Sequence, residues 1–449
     1  MGELSLPQPA DDFFSRVNSG LLLDLYELNM AQSYLKEGME KQAVFDITIR
    51  GGSANRGYYV AAGMQTAAQF AKHMRFEKES IEYLDGLKRF SEEFLAYLEK
   101  FRFGGEIFAV KEGEVVFSGE PMLKVKAPII HAQLLESYFL NAVGFQTMVA
   151  TKASRVCIAA KGRAVVDFGM RRAHGADASL KAARASYIGG CAGTSNMLAG
   201  KMYGIPVYGT VAHSYVMAHE SELAAFRAWA CTNKNATLLI DTYDTIQGAK
   251  NAIKIAKEMR QKGSPIGGVR IDSNKAAKES AKVRRMLDNA GMKGAKITIS
   301  GSLDEYKIAA FLKQGGAADF FGVGTAMVVS SDMPFLDINY KIAAYGAKPA
   351  MKKTQGKESV PCDKQVYRKI KNGKFASDTV GLDNESCHGE KLLALLLEGG
   401  RIKPQSLEQA KEYAKERLAM LPQGCIRLEN PAKYKVIISG GLVKIIKEL

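Results

Sequence analysis

Between residues 164 and 323, short apolar runs alternate with helical patterns, at 164–168, 205–208, 237–240, 268–271, 296–300 and 319–323. Runs of four or five mostly apolar residues of this kind read as short, largely buried strands. Strands of that kind separated by helices are the units of a parallel sheet. Six units in succession suggest a barrel rather than an open sheet. Closure itself is not written in the periodicity.

Each run ends in polar residues or glycine: Asp167-Phe168-Gly169-Met170-Arg171, His213-Ser214, Asp241-Thr242-Tyr243-Asp244, Arg270-Ile271-Asp272-Ser273, Ser300-Gly301 and Gly322-Val323-Gly324-Thr325. Parallel α/β proteins carry their reactive groups at the carboxyl ends of the strands. Asp and Gly also end strands for purely local reasons, but six clusters on one rim exceed what turn chemistry needs. Paired glycines let backbone N–H groups approach a phosphate, arginines neutralise it, and carboxylates hold Mg²⁺. The implied substrate is phosphorylated, metal-bound and multiply anionic.

The flanks follow another rhythm. A helical pattern at 21–38 precedes a period-two strand at 44–50. Further strands are expected at 58–62, 107–110, 114–117 and 122–125, then a helix at 131–145. Beyond Asn339 the chain reads as turn-rich with short strands (341–383), an amphipathic helix (406–418) and a strand (434–438). We therefore expect an N-terminal α+β domain with an antiparallel sheet (1–145), an α/β barrel catalytic domain (146–338), and a C-terminal segment (339–449) that packs on the first.

Composition excludes several classes. Of the 449 residues, 47% are hydrophobic and 24% charged, so an ordinary globular core is affordable. The start of the chain has neither the basic nor the apolar region of a signal peptide, and no apolar run approaches a membrane span. A cytoplasmic address is expected, with no membrane partner. The six cysteines form no CxxC pair, which argues against a structural zinc or a disulfide framework. The net charge of +15 is spread over helical faces, as at Lys250, Lys254, Lys257 and Lys262, without interleaved aromatics. That pattern suits anionic small molecules or solubility better than nucleic acid.

One set of segments resembles the nicotinate phosphoribosyltransferases: DLYELNMAQSY (24–34), VFDITIR (44–50), NAVGFQTMVATKASRV (141–156), the whole stretch 167–227, LLIDTYDT (238–245), VRIDS (269–273), FGVGT (321–325) and KQVYR (364–368). The resemblance implies the irregular α/β barrel of the type II phosphoribosyltransferases, with an α+β sandwich domain completed by C-terminal segments. It implies a homodimer with shared active sites, in which Tyr26 of one subunit and Phe168 of the other sandwich the pyridine. Arg171 then meets nicotinate and ribose-phosphate, and Thr194 and Ser195 lie by the pyridine carboxylate. His213 is the residue phosphorylated by ATP. Asp241 and Asp272 lie near the ribose and the Mg²⁺-diphosphate, with Asp272 as the metal-side carboxylate. Arg270 faces phosphate, and Ser300, Gly301, Gly322 and Gly324 cradle the 5′-phosphate.

Plainer readings stand beside these. Thr194 and Ser195 also suit tight packing, Asp241 and Asp272 suit helix N-caps, and Phe168 suits the core. Where the family pattern has Asp-Ser-Gly-Asp, this chain has Asp272-Ser273-Asn274-Lys275. The lysine bears on how Mg²⁺ is held and on ATP coupling. The expected activity is transfer of phosphoribosyl from 5-phosphoribosyl-1-diphosphate to nicotinate, with ATP as co-substrate, in NAD biosynthesis. A nicotinamide-using relative, a quinolinate-type enzyme and an inactive RNA-binding barrel remain the alternatives.

Overall fold

The computed structural model describes residues 19–51, 55–273, 276–355 and 358–449. Their contacts separate the chain into two units, one running up to Thr151 and resuming at Met333–Leu449, the other Lys152–Asp332.

The first unit is built on a seven-stranded sheet. Its order is Lys348–Pro349, Ile338–Tyr345, Gln42–Ile49, Pro121–Pro128, Glu106–Ala109, Ala394–Glu398, Arg401–Ile402. The strand Gln42–Ile49 pairs antiparallel with both Ile338–Tyr345 and Pro121–Pro128, so chain from both ends is woven into one ladder. Phe45, Ile47, Phe70, Phe94, Leu123, Phe139 and Tyr340 fill its core. Each such side chain contributes about 1.5–3 kcal/mol on burial. A four-stranded sheet follows, in the order Glu390–Lys391, Lys364–Lys371, Lys374–Leu382, Val436–Ile438.

Two sequence expectations change here. Residues 364–382 form long paired strands rather than a turn-rich stretch with short ones. Their polarity misleads because Lys364 and Arg368 are buried as ion pairs, Lys364 with Asp46 at 2.5 Å and Arg368 with Glu114 at 2.6 Å. The helix expected at 131–145 is two, Ile129–Gln133 and Glu136–Ala159.

The second unit holds six strands: β1 (Ala164–Asp167), β2 (Gly193–Thr194), β3 (Thr237–Leu239), β4 (Gly268–Ile271), β5 (Lys296–Ile299) and β6 (Phe320–Val323). All neighbours are parallel, in the order β2-β1-β6-β5-β4-β3. The first strand of this unit therefore pairs with its last, the mark of a sheet curled on itself. The ladder breaks between β2 and β3, which is what makes the barrel irregular. Residues 205–208, expected as a strand, make only one bridge, Thr194 to Val207. Pro206 has no N–H to offer a ladder, and Val207 and Tyr208 are exposed.

Val166, Leu238, Val269, Ile271, Ile297, Ile299, Phe321 and Val323 are buried along these strands. The helices that return the chain start at the strands' carboxyl ends. Asp244 caps Thr245–Gln261 by accepting from the Gln247 amide, and Asp304 caps Glu305–Lys313 from the Lys307 amide. The first and last residues of the unit, Lys152 and Asp332, form an ion pair at 2.7 Å, and Lys152 also meets buried Glu305 at 2.6 Å.

Candidate active site

At the end of β4 the Arg270 guanidinium organises three loops. Its Nε donates to Ser300 Oγ at 2.8 Å, and its Nη1 donates to Thr210 Oγ1 at 2.9 Å and to the Val211 carbonyl at 3.3 Å. Its Nη2 lies 3.3 Å from Asp272 Oδ2. Ser300 in turn donates to Asp272 Oδ1 at 2.6 Å. The Asp272 amide donates to Asp241 Oδ2 at 2.6 Å, which ties the end of β3 to the end of β4. Burial pushes the Asp241 carboxyl above the ordinary range, against the Asp272 amide and His213, which pull it down. Its Oδ1 is buried without a hydrogen-bond partner among the described residues.

His213 opens the helix His213–Met217 and stands over this network. Its Nε2 is 3.7 Å from Asp272 Oδ2, its Nδ1 is 3.1 Å from Thr242 Oγ1, and the side chain is 40% exposed. One nitrogen is thus oriented while the other faces a carboxylate and solvent. The N-cap reading of Asp241 fails: the cap is Asp244, and Asp241 turns to the Asp272 amide.

The ring of Phe168, half-buried past the end of β1, has the Arg270 guanidinium 5.7 Å from its centroid. Gly322 makes room for that ring, since a Cβ there would come within 2.5 Å of it. Gly301 has φ +100°, a left-handed conformation that favours glycine, and its backbone lies against the Asp272 carbonyl. A Cβ at Gly324 would meet the Phe168 carbonyl at 3.0 Å.

Behind Phe168 lies buried Asp167. Its Oδ2 accepts from Thr194 Oγ1 at 2.8 Å, its Oδ1 from the Gly169 amide at 2.8 Å, and its carbonyl from the Ser195 amide at 2.8 Å. The Thr194 hydroxyl is therefore turned inward, whereas Ser195 is half-buried. Arg171 is exposed on the 3-10 turn Met170–Arg172. Tyr26 lies in the first unit, 44% exposed on the helix Leu25–Lys36, with its phenol pushed up by burial and by Glu136 and Glu27. Asn274 and Lys275 lie outside the described residues.

The second unit thus brings together Phe168, His213, Asp241, Arg270, Asp272, Ser300, Gly301, Gly322 and Gly324, and links Thr194 and Ser195 to them through Asp167. Sequence reasoning missed Thr210, Thr242 and Asp167. Asp167 and Thr242 stood inside the strand-end clusters and Thr210 three residues before His213, where position alone could have flagged them. Among the described residues no group of three or more His, Cys, Asp or Glu could hold a metal. A Mg²⁺ that arrives on substrate oxygens asks for only one or two carboxylates. The Asp241–Asp272 pair, with its buried, unpartnered oxygen, fits that demand.

Three family models match the chain: the nicotinate phosphoribosyltransferase N-terminal domain at residues 21–144, the nicotinate phosphoribosyltransferase family at 163–381, and its C-terminal domain at 385–446. A nicotinate phosphoribosyltransferase of Mycobacterium tuberculosis is 43% identical, over 94% of this chain and 92% of its own. One from Bacillus subtilis is 36% identical, over 93% and 92%. The human nicotinic acid phosphoribosyltransferase structure superimposes with a TM-score of 0.83 at 26% identity, covering 96% of this chain and all of that one. The type II fold is shared with a nicotinate-nucleotide pyrophosphorylase of Pyrococcus furiosus, with a TM-score of 0.72 at 24% identity over 94% of this chain and 99% of that one.

Proposed function

This chain belongs to the nicotinate phosphoribosyltransferase family, and from that premise we propose how its residues divide the work. It is an enzyme of NAD salvage that joins nicotinate to 5-phosphoribosyl-1-diphosphate, giving nicotinate mononucleotide and diphosphate. The C1–O bond to diphosphate breaks ahead of attack by the pyridine nitrogen, so positive charge develops on the ribosyl ring. Such a reaction needs positioning and charge stabilisation more than a strong base.

Phe168 stacks on the pyridine, and Arg171 pairs with its carboxylate and the ribose-phosphate. Ser195 borders that carboxylate, and buried Thr194 backs it. Arg270 faces phosphate, while Ser300, Gly301, Gly322 and Gly324 line the 5′-phosphate loop. Asp241 meets the ribose. Asp272, with Asp241 beside it, would hold Mg²⁺, which when bound neutralises the departing diphosphate.

ATP enters through His213. Thr242 holds Nδ1, leaving Nε2 to attack the γ-phosphorus; a P–N bond forms, the P–O bond to ADP breaks, and water later takes the phosphoryl group. Tyr26, an exposed aromatic with exposed Leu22 and Leu25 close by in sequence, reaches the neighbouring subunit's pyridine site in a homodimer. The substrates are soluble anions, and we assign the enzyme to the cytoplasm.

The observation that carries this reading is the single network in which Asp272 joins His213, Arg270, Ser300 and Asp241 at the carboxyl ends of β3, β4 and β5. The test is diphosphate release with nicotinate, with and without ATP, and with nicotinamide as competitor. We expect nicotinate to win, ATP to raise product yield, and His213→Ala to retain slow transfer without ATP hydrolysis. Preferential use of nicotinamide overturns the substrate; unchanged ATP consumption in His213→Ala overturns the phosphohistidine.

A further inference from the structure

Asp167, the last residue of β1, places a carboxyl group directly behind Phe168. It is 1% exposed, and no cation contacts it among the described residues. A buried carboxylate without a cation is costly unless its hydrogen bonds do something. Here they reach every piece of the rim assigned to the pyridine. Oδ2 takes the Thr194 hydroxyl, Oδ1 takes the Gly169 amide that begins the turn carrying Arg171, and the main-chain carbonyl takes the Ser195 amide. Phe168 itself is the next residue along. None of these bonds touches Arg270, Ser300, Asp272 or Gly301, the phosphate side of the rim.

We propose that Asp167 is a positioning residue for nicotinate: it locks Thr194, Ser195 and the Gly169–Arg171 turn into one rigid pyridine platform, independently of the phosphate side. This rests on the reaction assigned above. It also gives Thr194 a specific task, which is to hold Asp167 rather than to meet the substrate carboxylate. Burial pushes the Asp167 carboxyl up, opposed by Thr194 and the Gly169 amide.

The physical demand is for two acceptors at one residue. Asp167→Asn keeps the shape but supplies an acceptor on one side only, and Thr194→Val removes the donor that the other arm uses. Steady-state kinetics of the full chain, varying nicotinate and 5-phosphoribosyl-1-diphosphate separately, read the result. Each variant is expected to raise KM for nicotinate about tenfold, the worth of one hydrogen bond to a charged group. KM for 5-phosphoribosyl-1-diphosphate stays within about twofold, and kcat changes less than KM for nicotinate. The double variant is expected to be no worse than either single one, because both break the same clasp. Thr194→Ser, which keeps the hydroxyl, recovers most of what Thr194→Val loses.

A parallel rise in both KM values, additive losses in the double variant, or unchanged nicotinate kinetics in Asp167→Asn overturns the inference. Wild-type chain that releases no diphosphate from nicotinate overturns the assigned reaction, and the inference falls with it. Active wild type with an indifferent Asp167→Asn overturns the positioning role alone.

Discussion

Two arginines, one in each unit, show how similar chemistry serves opposite ends. Arg368 in the first unit is fully buried between the rings of Phe117 and Phe375, donating to Asp378 and Glu114. Arg417 closes on Glu114 and Glu390, while Tyr413 caps Glu114 and Tyr434 caps Asp378. Burial and the neighbouring Asp378 push Glu120 well above the usual carboxylate range. Arg270 in the second unit also lies beside a carboxylate, a serine and an aromatic face. Its network, however, reaches solvent at half-exposed His213. Charges sealed in the interior around Arg368 hold a fold; charges that open to solvent, as at His213, are placed to meet a ligand.

Replacing each arginine is the strongest way to break that contrast. Arg368→Met should cost about 3–5 kcal/mol of unfolding free energy, because it strands Glu114 and Asp378 in the interior. Urea denaturation measures it, and a loss under 1 kcal/mol would dissolve the distinction. Arg270→Met should leave the denaturation midpoint nearly in place while lowering kcat/KM by roughly 10²–10³. Its largest effect should fall on 5-phosphoribosyl-1-diphosphate.

A middle-sized effect concerns Glu27, buried in the first unit with Oε1 accepting from the Ser137 amide at 3.1 Å and, among the described residues, no cation paired with it. Burial lifts its carboxyl from 4.5 to about 7, against Ser137 and the Asp24 amide. The folded chain therefore binds more protons than the unfolded one across that window. Stability should fall as pH rises from about 4.5 to about 7 and be flat above. Glu27→Gln should flatten that slope in pH-resolved thermal melts; an unchanged slope would assign it to other groups.

The smallest expected change is at Thr242. Thr242→Val frees the His213 ring to turn and should lower phosphoenzyme formation from labelled ATP by about threefold to tenfold. Transfer without ATP should be untouched. A change of similar size in both would make Thr242 a packing residue.

The barrel was legible in the sequence because its strands are mostly apolar and their ends are chemically odd. Strands β4, β5 and β6 fall within a residue of expectation. The region 364–382 was not legible, since its buried cations imitate a solvated loop until Asp46, Glu114 and the facing strand's Asp378 pair with them. The two residues of β2 were too few to carry a period. Among site residues, spacing and resemblance pointed to His213, Arg270 and Asp272. The inward turn of Thr194 onto Asp167 depends on which way one hydroxyl rotates, and no pattern records that.

The ion pair between Lys152 and Asp332 has a consequence for the chain as a whole. A module whose entrance and exit are clipped together looks, to its host, like a short connector however long it is. The entropy of closing that excursion is met inside the module. Such a cassette could be cut out, or exchanged for a relative's, without lengthening the thread that the host sheet must bridge.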